Sequence, residues 1–189
     1  MSSLDFLLYP TFTLSTSQLA KLFILCTLKE LMPDFQLPSR QIDTSYSNQY
    51  DLWLPLSASR HKSVGIRIEI KASRAVDFNK PDEPLYIKAL SSDSKCPFDM
   101  NFQQIKPKCA DVFIWVAVWR DKIRYWVLSS NEVQTNRYFS KGQHRGNIGE
   151  GQLHLNGDNI TDFNKYEVKS TDIRKAVMAA YKKQTKRRK

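Results

Sequence analysis

A chain of 189 residues, 41% hydrophobic and 12% aromatic, can bury a full core, which excludes a wholly disordered polypeptide. Its 29 Lys and Arg outweigh 19 Asp and Glu, and the formal charge of +10 points to a polyanionic partner, nucleic acid before others. The apolar run Leu22 to Cys26 is too short to cross a membrane; three scattered cysteines without a Cys-x-x-Cys pair speak against zinc and for a reducing cytoplasm.

In chain order, Ser15, Thr16 or Ser17 can cap a helix that runs to about Met32, where Pro33 stops it. Leu19, Leu22, Phe23, Cys26 and Leu31 give that helix a broad apolar stripe. Asp34 to Asn48 is polar and reads as a loop. Gln49 to Leu54 then alternates, with Tyr50, Leu52 and Leu54 expected on one side and Asp51 and Trp53 on the other. Ser57 to Lys62 is a polar hairpin turn.

The next nine residues, Ser63 to Lys71, carry the argument. Val64, Ile66, Ile68 and Ile70 alternate with Gly65, Arg67, Glu69 and Lys71, the signature of a strand with one buried face. Glu69 and Lys71 then project together, their backbones about 6.5–7 Å apart. Folding back at the turn brings Asp51 beside Glu69. Two adjacent carboxylates repel unless a cation joins them, and an oxygen-rich Mg²⁺ site resolves that repulsion. The bland alternative is a solvent face with a salt-bridged Arg-Glu-Lys row.

Asp51, Glu69 and Lys71 stand as D-x17-E-x-K, with Ala72-Ser73 ending the strand. This arrangement resembles the PD-(D/E)XK nuclease superfamily of the type II restriction endonucleases, with Tyr50 where the name-giving proline would stand. The resemblance implies an α/β fold, a restriction-endonuclease-like mixed β-sheet core flanked by helices. It also implies that Asp51 and Glu69 bind Mg²⁺ and that Lys71 positions or activates the attacking water. Glu30, at the end of the first helix, becomes a weaker member of the site, or else a solvated helix-end carboxylate. The function implied is sequence-specific cleavage of double-stranded DNA by a homodimer. A repair or junction-resolving nuclease of the same fold, and a basic DNA-binding protein without turnover, are the rival readings.

Beyond Lys71, Leu85 to Leu90 reads as a short strand and Ser91 to Asp99 as a loop. Phe102 to Pro107 reads as a short helical turn whose Gln103, Gln104 and Lys106 contact bases and phosphates or simply cover the sheet. Asp111 to Trp119 is apolar on both faces, a central strand covered on both sides. Arg120-Asp121 turns into a partner strand, Lys122 to Leu128, and Trp115, Trp119 and Trp126 belong to the core. Ser129 or Ser130 caps a short helix through Val133.

Lys141 to His154 holds four of the six glycines, interleaved with Lys141, Gln143, His144, Arg145, Asn147 and Gln152. Side chains of these types read base edges and phosphates, so the stretch is expected to be a DNA-contacting loop; the alternative is an ordinary exposed polar loop. Ser170 or Thr171 caps a last helix, Asp172 to about Lys183, with Ile173, Ala176, Val177, Ala180 and Tyr181 on its apolar side. One nuclease domain over 1–181 and a basic tail over 182–189 complete the expectation.

Overall fold

The computed structural model describes residues 32–57, 64–142 and 150–186. The helix expected before Met32, and Glu30 with it, lies outside the described residues.

The hairpin forms as its alternation demands. Strands β1 (Leu52–Ser57) and β2 (Val64–Arg74) pair antiparallel with Leu52 opposite Ile68 and Leu54 opposite Ile66. Ile66, Ile68 and Ile70 are buried on one face, while Gly65, Arg67, Glu69 and Lys71 are half-buried on the other. Trp53 is no outward residue: it is 5% exposed, because its indole lies across Gly65, where an added Cβ would meet the ring at 2.2 Å. Tyr50 departs from the expected side too. A bend at Asp51 precedes the strand, so Tyr50 packs with Trp53 rather than with Leu52.

The fold is mixed α/β with two sheets. Strand β2 pairs parallel with β5 (Val112–Val118), which pairs antiparallel with β6 (Ile123–Ser129); β6 is in turn bordered by β9 (Glu167–Val168). Parallel neighbours need a long crossover. Here it comprises β3 (Val76–Asp77), the single helical turn α1 (Leu85–Lys88) and β4 (Phe98–Ile105). Strand β4 joins the second sheet, of order β3-β4-β8-β7, with β7 at Phe139–Lys141 and β8 at Gly151–Asn156.

All seven residues of β5 are buried, as an apolar run with no alternation implies. On one face Ile114 and Val116 pack with Ile173 and Val177 of the last helix, α3 (Ile173–Lys186). On the other, Trp115 stacks on Phe102 with ring centroids 5.2 Å apart, joining the two sheets. Full burial of each such side chain contributes roughly 1.5–3 kcal/mol. Between β6 and β7 a short helix α2 (Ser130–Gln134) begins with a capping box between Ser129 and Glu132, as the sequence signals.

Four expectations fail for local reasons. Leu85 to Leu90 is a helical turn after Pro84, and Tyr86 and Ile87 remain exposed; six residues of mixed pattern do not separate strand from helix. Phe102 to Ile105 is strand, not helix. Gln103 and Gln104 together oppose Gln152, so a bulge with Gln104 at φ 54° puts Phe102 and Ile105 on one face three residues apart, which mimics a helix. The glycine-rich stretch turns into β8 at Gly151, where Leu153 and Leu155 face inward. Finally, a 3-10 turn, Ser170–Asp172, leads into α3 without a side-chain cap at Lys169, and the helix continues to Lys186 through five of the eight residues expected as tail.

Candidate active site

Asp51 is held at the mouth of β1 by two contacts to β2. Its backbone N–H donates to Ile68 O at 2.9 Å, and its Oδ2 accepts from the Ile70 N–H at 2.7 Å. The carboxylate therefore lies along the backbone on either side of Glu69. On the same strand Lys71 Nζ sits 2.6 Å from Glu69 Oε1, with both side chains largely buried. The sequence-based trio is thus brought together at one strand edge. Arg67 shares their face but is engaged elsewhere: its Nε and Nη2 donate to Asp111 at 3.1 and 3.0 Å, and its backbone N–H also donates to that carboxylate.

Burial pushes the Glu69 carboxyl up to about 7, and the neighbouring Asp51 charge pushes the same way. The ammonium groups of Lys71 and Lys106 oppose this without overcoming it. Sequence reasoning missed two residues here. The Tyr46 phenol is raised first by burial and then by the charges of Asp51 and Glu69, so it lies within electrostatic reach of both. Glu150 accepts from Lys106 Nζ at 2.7 Å and fixes that lysine within electrostatic reach of Glu69. Neither lies on an alternating pattern with the site strand, and only the fold brings them near. Tyr50, at the motif's proline position, donates to Asp43 Oδ2 at 3.0 Å and packs edge-on against Tyr46.

No family model matches this chain, and no curated protein or solved structure matches it either. The chemistry of the site has to come from its own donors.

Asp51 and Glu69 are hard oxygen donors, one of them a buried carboxylate whose charge is poorly compensated. Mg²⁺ is held through one or two carboxylates and completes its shell with water and substrate oxygens. The pair fits such an open site. Among the described residues no group of three or more His, Cys, Asp or Glu side chains is gathered, so the donors are not those of a closed protein cage.

The expected DNA-contacting residues divide. Lys106 stands at the site, and Lys141, at the exposed end of β7, lines a cleft with it. Gln103, Gln104 and Gln152 meet at the β4 bulge, two residues before Lys106 at their nearest. Gln143, His144, Arg145 and Asn147 lie outside the described residues. His154 faces away from the site and pairs with Asp99 at 2.9 Å.

Proposed function

We propose that this chain is a Mg²⁺-dependent endonuclease that hydrolyses phosphodiester bonds in double-stranded DNA, sequence-specifically and as a homodimer, in the manner of type II restriction enzymes. The observation that carries this reading is the junction of Asp51, Glu69 and Lys71 at the β1–β2 edge, two carboxylates and an ammonium in the D-x17-E-x-K order. A net charge of +10 supports a polyanionic substrate.

Asp51 and Glu69 would hold the ion. When bound, Mg²⁺ supplies Lewis-acid charge to the phosphodiester and makes water more acidic. Lys71 neutralises Glu69 when no other cation is near. The Lys71 ammonium has N–H donors beyond the one it gives to Glu69, and with these it would orient the attacking water or a phosphate oxygen. Lys106, held by Glu150, keeps N–H donors free to meet an approaching phosphate.

The test is cleavage of supercoiled plasmid by the full chain with Mg²⁺ and with excess EDTA. Discrete fragments that vanish with EDTA support the restriction reading. A smear indicates cutting without sequence preference, and cleavage confined to branched DNA indicates a junction-resolving nuclease. DNA binding with no cutting of any substrate overturns the enzymatic reading.

A further inference from the structure

Beside Lys106 lies a cleft of about 420 Å³, whose walls include Pro107, Phe139, Gln134 and the side chains of Lys106, Lys108 and Lys141. That volume falls within the roughly 300–1,000 Å³ of small-molecule sites. Phe139 is seated on bare backbone: a Cβ at Gly151 would stand 2.3 Å from its Cε2 and Cζ. Gly151 thus fixes the ring as a wall of the cleft. Lys106 is occupied by Glu150, whereas Lys108 and Lys141 form no ion pair among the described residues.

An aromatic ring in the wall, an amide and the ammonium groups of Lys108 and Lys141 complement the three parts of a nucleotide: the π face, the base edge and the phosphate. A base within a stacked duplex offers no free face to such a ring; it must leave the stack first. Building on the nuclease reading, we infer that this cleft takes one unstacked nucleobase of the DNA strand held at Asp51 and Glu69. Substrates with an unpaired nucleotide beside the cut are then preferred over continuous duplex. Lys106 links the two places, since it lines the cleft and directly follows β4, the strand packed against β2 with its Glu69 and Lys71.

The test measures binding of the full chain without divalent metal, so that no strand is cut. Three labelled oligonucleotides of one sequence are compared at one salt concentration: a duplex, the duplex with a single unpaired nucleotide, and the same duplex with an abasic residue in that position. The unpaired nucleotide is expected to bind roughly 10-fold or more tightly than the abasic residue, the range that base–aromatic stacking supplies. Phe139→Ala removes that gap and leaves abasic binding unchanged, and Phe139→Tyr restores it. Where Phe139→Ala fails to fold, Phe139→Leu keeps an apolar side chain on Gly151 without the aromatic face and is read instead. Equal wild-type affinity for the unpaired and abasic duplexes overturns the inference, as does a gap that survives loss of the ring. Failure of the nuclease reading looks different: the gap persists, but the full chain with Mg²⁺ cuts neither plasmid nor branched DNA.

Discussion

Glu69 is ionised at the expense of the fold, and that sets two pH dependences. Its folded-state value of about 7 lies above the ordinary 4.5, so between these limits the folded chain holds a proton that the unfolded chain has released. Stability is therefore lost as pH rises from about 4.5 to about 7, by on the order of 3 kcal/mol at 1.36 kcal/mol per unit. Urea denaturation across this range is expected to show that downward slope in the metal-free protein and a flatter one in Glu69→Gln. The same proton competes with a cation, so Mg²⁺-dependent cleavage should climb as pH passes through about 7. A rate that falls over that interval would contradict the assignment of Glu69 as a ligand. Asp51→Ala should abolish cleavage while its melting temperature stays close to that of the wild type, since Asp51 contributes repulsion as well as its bond to Ile70. On the proposed nuclease reading, which sets Lys71 beside the reacting phosphate rather than along the duplex, Lys71→Ala should reduce the turnover number while leaving DNA affinity nearly unchanged. Single-turnover cleavage and metal-free binding of the same DNA distinguish these two effects.

The β1–β2 hairpin shows why a motif can be legible while its surroundings are not. Alternation over Val64 to Ile70 identifies β2, and the polar turn makes antiparallel pairing follow, so Asp51 reaches Glu69 as expected. Nothing in that alternation says that a second sheet covers the other face. Trp53 and Gly65 are consequently read as outward residues, although they are partners in a buried contact. Gly65→Ala drives a methyl into the Trp53 indole, and overpacking of this kind costs about 1–3 kcal/mol. Chemical denaturation should register that loss, and a variant as stable as the wild type would mean that the ring has room to move. The β4 bulge hides in the same way: inserting Gln103 and Gln104 against Gln152 converts period two to an apparent period of three. Tyr46 and Glu150 were invisible for a different reason, since each reaches the site from a loop or strand end whose position only tertiary packing sets. Ser129 and Glu132, by contrast, declare their capping box within four residues, and a local signal of that kind survives whatever packs around it.

At the scale of the whole molecule, the basic C-terminus divides into two parts with different work. Helix α3 runs on to Lys186, and its last turns are docked: Gln184 is 4% exposed and its Oε1 accepts from the Asn131 N–H at 3.3 Å, while Lys183 pairs with Glu132. Burial alone would raise the Glu132 carboxyl, but Lys183 and Ser129 hold it below the ordinary range. Removing residues 182–189 therefore takes away tertiary contacts together with charge. Removing only Arg187, Arg188 and Lys189 takes away three charges and none of these contacts. Each phosphate contact released from duplex DNA changes the slope of log affinity against log salt by about 0.9. Cutting the chain after Lys186 should flatten that slope by up to about three such steps, equally for every sequence, with an unchanged melting temperature. Cutting after Tyr181 should flatten it further and lower the melting temperature as well. Salt titrations on two unrelated duplexes, beside thermal melts of both truncations, separate the outcomes. If the shorter truncation alters affinity for one duplex and not the other, the last three residues read sequence rather than phosphate. If it leaves both slopes untouched, the electrostatic footprint lies on the body of the protein, around Lys106, Lys108 and Lys141.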